Sequence, residues 1–95
     1  MRLFWRKTAM RDLAEIAGYI AQDSEQIEWL VEMRIHEAAS LLVAIPAMGR
    51  PGRVDGTREL VVPRTPYILV YRIQAGTIRV IRVLRGARRW PSRFE

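Results

Sequence analysis

The sequence predicts an α+β fold with elements in the order β-α-α-β-β-β, an N-terminal helical hairpin packing on one face of an antiparallel sheet. Two amphipathic helical stripes follow one another with almost no linker, and the chain then turns to runs rich in β-branched and aromatic residues. Between them lies a Gly/Pro-rich segment, Pro46 to Gly56 (PAMGRPGRVDG), which reads as a connecting loop. Ninety-five residues, 49% of them hydrophobic, suffice for one core, so a single domain over residues 1–95 is expected.

Leu3, Phe4 and Trp5 give residues 2–6 the aromatic content of a strand, which stops at Lys7-Thr8. Thr8 is suited to cap a helix over residues 9–22, where Ala9, Leu13, Ile16, Ala17 and Ile20 recur at spacings of three and four. Asp23 and Ser24 offer the next cap. Glu25 and Glu28 fall in a positive first turn, and Ile27, Val31, Ile35, Ala38, Leu42 and Ile45 carry a helix over residues 25–44 until Pro46 stops it. So short a connection forces the two helices antiparallel. Strands are expected at 57–62, 66–74 and 77–84, the last two joined as a hairpin at Gln74-Ala75-Gly76. Tyr67 to Tyr71 is apolar on both faces, whereas Arg79 and Arg82 punctuate the last strand, so a central strand covered on both sides and an arginine-bearing face opposite the helices are expected.

Charge is divided along the chain. Residues 1–48 carry five Lys/Arg against seven Asp/Glu, and residues 49–95 carry eleven against three, giving −2 and +8. Fifteen of the sixteen basic residues are Arg and only Lys7 is Lys, which favours planar, bidentate contacts to phosphate or carboxylate. An anionic partner follows. With no cysteine there is no disulfide, thiolate nucleophile or cysteine metal ligand, and His36 alone cannot build a metal site, so neither metal nor cofactor is expected. The absence of a long apolar stretch and of a leader-like start points to a cytoplasmic protein without membrane partners.

The string GRPGRVDGTRELVVPRTPYILVYRI followed by IRVIRVLRGARRWP resembles the RelE/ParE toxins, often labelled plasmid-stabilisation proteins. The resemblance extends over nearly the whole chain and is strongest from Met48 to Pro91, where GR-x-GR-x-x-GTREL, a central strand ending in Tyr-Arg, and VL-x-GAR-x-WP appear in order. It implies a toxin of a type II toxin–antitoxin module, silenced by a cognate antitoxin that is a DNA-binding dimer. It also implies either of two targets: DNA gyrase for ParE-like members, or the ribosome for RelE-like members, which cut messenger RNA. A nucleic-acid-binding module without toxicity is a further alternative, on the charge of the second half.

RNA cleavage requires a base for the 2′-hydroxyl, a stabiliser of the pentavalent phosphate and an acid for the leaving oxygen. The resemblance places Ile68 where the family's nucleases carry a basic residue, and Arg85 where many relatives carry the histidine of VLHGAR. A nuclease would then rely on Arg82, Arg85 and Arg88 as a phosphate clamp and on Tyr67 or Tyr71 as acid. His36 reads as a solvated helix residue and Glu59 as the ion-pair partner of an arginine. Arg50, Arg53 and Arg58 on or beside the Gly/Pro loop, with Arg79, Arg82, Arg85, Arg88 and Trp90 on the last strand and tail, are the expected contacts to antitoxin or target. Trp5 is expected in the core, whereas Trp29 and Trp90 are free either to anchor a partner or to pack against the chain's own ends.

Overall fold

A computed structural model describes residues 1–94. Strand β1 (Arg2–Trp5) leads into α1 (Lys7–Ala21) and α2 (Glu25–Ala44), followed by a 3₁₀ turn (Pro46–Met48), the two-residue strand β2 (Arg50–Pro51), β3 (Arg58–Val61), β4 (Tyr67–Gln74) and β5 (Thr77–Arg85). The five strands form one sheet in the order β1-β5-β4-β3-β2. Three of its ladders are antiparallel, but β1 pairs with β5 in parallel, Leu3 opposite Ile78 and Trp5 opposite Val80, so the sheet is mixed where an antiparallel one is expected. The helical hairpin is the reason: two antiparallel helices return the chain to the end from which it left, and it re-enters the sheet from β2 inwards.

One face of the sheet carries the helices. Val31, Ile35, Ala38 and Ala39 of α2 and Ala9 of α1 pack on Leu69, Val80 and Val83, with Tyr67 and Val62 completing the cluster. Leu42, Tyr71 and Ile78 form a smaller one beside it. Ile27 and Ile45, at the two ends of the α2 stripe, are exposed. Ser24 caps α2 as its sequence suggests, its hydroxyl accepting from the Ile27 N–H at 3.2 Å.

Helix α1 begins earlier than expected, and Thr8 lies inside it instead of capping it. The Thr8 hydroxyl donates to the Ile81 carbonyl at 2.7 Å, and the Asp12 carboxylate accepts from the Val83 N–H at 2.9 Å. Both bonds fall on the edge of β5 beyond the last β1 pair, Trp5 with Val80. Side chains of α1 thus supply the ladder partners that a longer β1 would have given, and the edge is closed to further pairing there.

The imperfect alternation of β5 has a specific cause. Val70 pairs with Arg82 and Tyr71 with Val80, leaving Ile81 as an extra residue, a β-bulge. It brings Val80 and Val83 to the helix face and Arg79 and Arg82 to the opposite face, although each pair is three residues apart. Reading the ladders across, Arg50, Glu59, Val70 and Arg82 form one row of that opposite face, and Arg72, Arg79 and Phe4 another. The face is arginine-bearing, as expected, but only partly open. Ile68, Val70, Ile81 and Leu84 are buried on it, and the tail Pro91–Phe94 lies along a cleft that it shares with Ile81, Arg82 and Thr8. Among the described residues no helix is long and apolar enough to cross a membrane.

Candidate functional site

The structure separates the expected site residues into groups with different degrees of freedom. At the β2–β3 end, Glu59 is 2% exposed and serves as the hub: Arg50 Nη2 donates to its Oε1 at 3.1 Å, the Arg53 backbone N–H to its Oε2 at 2.7 Å, and Arg53 Nε stands 3.5 Å from Oε1. Glu59 is therefore an ion-pair partner, as expected, and its charge is fully engaged. The Arg53 guanidinium also stacks over the Trp90 ring, 3.5 Å from its centre, while Trp90 Nε1 donates to the Arg85 carbonyl at 3.0 Å. Trp90 thus packs against its own chain and pins the tail to the loop. Gly49 is buried where a Cβ would stand 2.7 Å from the Glu59 carbonyl oxygen, so only glycine lets the loop pass this close to β3.

Arg58 is turned to the chain itself, donating to the carbonyls of Ala47 (3.1 Å) and Gly49. Arg82 bends round the edge of β5 to Asp12, Nε to Oδ2 at 2.7 Å and Nη2 to Oδ1 at 3.0 Å, a bidentate bond that holds its charge more firmly than in an ordinary arginine. In the sequence Asp12 reads with Arg11 and Glu15 as the outer side of the first helix; it is instead buried, because it lies three residues after Ala9 and four before Ile16, where a carboxylate needs a cation. The expectation that Arg82, Arg85 and Arg88 share one clamp is corrected accordingly: Arg82 is committed elsewhere, because Asp12 reaches it first.

Arg85 and Arg88 remain exposed, and both line a groove between α1 and the sheet with Glu15, Ile16, Tyr19 and Tyr67. Tyr71 is fully buried on the helix face; its hydroxyl donates to the Pro46 carbonyl at 2.7 Å and accepts from the Gly49 N–H at 3.0 Å. It staples the Gly/Pro loop to the core beside Arg58, its cross-strand partner, and is held away from Arg82, Arg85 and Arg88, which corrects its expected place beside them. Arg79 lies with Arg6 and Arg72 at the far corner of the opposite face. His36 is exposed on α2, 3.9 Å from Glu32 and 5.2 Å ring to ring from Trp5, remote from every one of these groups. Trp5 itself is only half-buried against the core. Trp29 is 61% exposed beside Glu25 and Glu32, and the nearby Glu28 carboxyl is raised in pKa, first by its hydrogen bond to Glu32.

Residues 3–90 match the family model described as the ParE toxin of type II toxin–antitoxin systems, parDE. Y4kP of Sinorhizobium fredii, to which a toxin role is ascribed, is 40% identical over 91 residues, 96% of this chain and 94% of that protein. Toxin RelE2 of Caulobacter vibrioides is 30% identical over 87 residues, 92% and 97% of the two chains. Among solved structures, a chromosomal ParDE system from P. aeruginosa superposes with a TM-score of 0.79 at 30% identity, over 90% of this chain and 95% of the other.

Proposed function

Because the chain belongs to the ParE toxin family of type II toxin–antitoxin systems, with an antitoxin protein as its implied partner, we propose that it arrests growth in the cytoplasm by binding DNA gyrase, without catalysis of its own. The observation that carries this reading is the occupation of its acid–base groups. Glu59 is held by Arg50 and Arg53, Asp12 by Arg82 and the Val83 N–H, and the Tyr71 hydroxyl by Pro46 and Gly49. A ribonuclease needs groups free to move a proton at the 2′-oxygen and at the leaving oxygen; a binding toxin needs a rigid charged surface. Arg50, Arg53, Arg85, Arg88 and Trp90 are the residues we assign to contacts with target or antitoxin, with Arg58 and Arg82 as their internal supports. An acidic amphipathic segment of the antitoxin, from a DNA-binding dimer, complements the exposed arginines.

One observation favours the alternative of a RelE-like ribosome-dependent endonuclease: Arg85 and Arg88 share their groove with Tyr67, which pairs directly with Arg85 across the ladder. The two readings part in a single experiment. Purified toxin is added to gyrase with relaxed plasmid and, separately, to a reconstituted translation reaction. Loss of supercoiling with intact message is the expected result, and codon-phased cleavage of the message with supercoiling unaffected overturns it. Neither effect, together with salt-sensitive nucleic-acid binding and no growth arrest, identifies a plain binding module.

A further inference from the structure

We propose that Arg6, Arg72 and Arg79 form a phosphoryl-binding pocket on the sheet face opposite the helices, separate from the Glu59 hub and from the Arg85–Arg88 groove. The three side chains line a cleft of about 290 Å³ with Gln74 and Ile81. Arg72 and Arg79 are direct cross-strand partners, so two arginines stand side by side on one sheet face, where like charges oppose each other. Among the described residues the arginine ion pairs use Asp12 and Glu59, both at other places, so no carboxylate neutralises this corner.

A second observation points to a missing acceptor. Arg79 Nε is buried and has no hydrogen-bond partner, although a buried donor is almost always satisfied. The group is nonetheless held in place: the Arg79 guanidinium lies 5.4 Å from the centre of the Phe4 ring, and Arg72 Nη1 is fixed by the Asp55 carbonyl at 3.3 Å. Helix α1 starts at the residue after Arg6, with no side-chain cap and no acid in its first turn, and adds the uncompensated positive end of its dipole beside the cleft.

The chemistry selects a phosphoryl group over a carboxylate. A carboxylate offers two oxygens in one plane, which the fork of a single guanidinium already satisfies. Three arginines lining one cleft from β4, β5 and the β1–α1 junction match the larger number of oxygens and the higher charge of a phosphate. The proposal does not depend on which target the toxin has.

The test is a titration of the full chain with inorganic phosphate at constant ionic strength, following the arginine Nε–Hε resonances by NMR. Arg79 Nε–Hε is expected to shift and saturate, and Arg72→Gln or Arg79→Gln to weaken the apparent affinity about 10- to 100-fold, while Arg89→Gln in the tail leaves it unchanged. The wild-type resonance decides the matter even if a variant is unstable. An Arg79 resonance that responds no more to phosphate than to chloride overturns the proposal, as does one that responds to a glutamate-rich peptide and not to phosphate. A short single-stranded oligonucleotide held more tightly than a mononucleotide identifies a polynucleotide backbone as the source of the phosphoryl group. Equal retention identifies a free phosphorylated ligand, and either result supports the site.

Discussion

Removal of the Asp12 carboxylate probes the closure of the β5 edge most directly. In Asp12→Ala the Val83 N–H loses the acceptor it holds at 2.9 Å, and the Arg82 guanidinium loses both bonds, at 2.7 and 3.0 Å. An orphaned backbone donor costs about 1–3 kcal/mol. Breaking a buried ion pair costs about 3–5 kcal/mol, but the Arg82 side chain retains 24% exposure and can turn towards water, which discounts that part. A total of about 3 kcal/mol is therefore expected, a large share of the roughly 5–15 kcal/mol typical of a domain. It corresponds to a fall in Tm of about 15 °C for a chain of this size. Urea unfolding of the free toxin followed by circular dichroism measures it, and the double variant Asp12→Ala/Arg82→Ala should lose less than the sum of the singles because the two residues share bonds. A loss below about 1 kcal/mol for Asp12→Ala would refute the idea that α1 replaces a strand at this edge. The raised pKa of Arg82, due first to the Asp12 hydrogen bond, means that its contribution is complete below the ordinary arginine value and is lost as pH rises from that value through the raised one, so it is constant through the neutral range.

Further outcomes follow from particular residues. Ala75 sits at φ +49° beside Gly76 at φ +73° in the β4–β5 turn, and Ala75→Gly or Ala75→Asn should raise stability by about 1 kcal/mol, visible as a higher urea midpoint at unchanged slope. Tyr71→Phe removes the staple to Pro46 and Gly49 and should cost about 1–3 kcal/mol, yet growth arrest in cells should survive at permissive temperature; complete loss of arrest in a folded variant would favour Tyr71 as a catalytic acid. The raised Glu28 carboxyl penalises the folded state as pH climbs from its ordinary 4.5 through the raised value, the penalty being absent below 4.5. Glu28→Gln should therefore raise Tm more at pH 7 than at pH 4, and an equal effect at the two pH values contradicts the cause assigned to Glu25, Glu28 and Glu32.

Much of the architecture could be read from the chain because local signals agreed with the tertiary outcome. The Ser24 cap and the Pro46 stop bound α2 over Glu25–Ala44, the span expected, and the positions of β3, β4 and β5 follow from composition and turns to within a residue or two. What escaped was non-local. Strand β2 has only Arg50 and Pro51, too short for any periodicity, and it pairs with β3 across the row in which Arg50 meets Glu59. The parallel partnership of β1 with β5 spans most of the sequence, and no local property of Leu3 or Ile78 announces it. The arginines show the same division. Their number and clustering were plain, but which of them are spent on Asp12, Glu59 or loop carbonyls depends on partners far away in sequence, and the bulge at Ile81 changes which face each β5 residue meets.

The parallel pairing also bears on the order of events during synthesis. The first strand made is completed by the last, since Arg2–Trp5 finds its hydrogen-bonding partner only in Thr77–Val80, and Thr8 and Asp12 wait for Ile81 and Val83. A ribosome can therefore release the helical hairpin early but not a finished sheet, and the nascent chain cannot present the assembled toxin surface until its C-terminal strand has emerged. The toxin fold is thus completed only once β5 has left the ribosome, and until then β1 and the Thr8 and Asp12 side chains have no partner to close on.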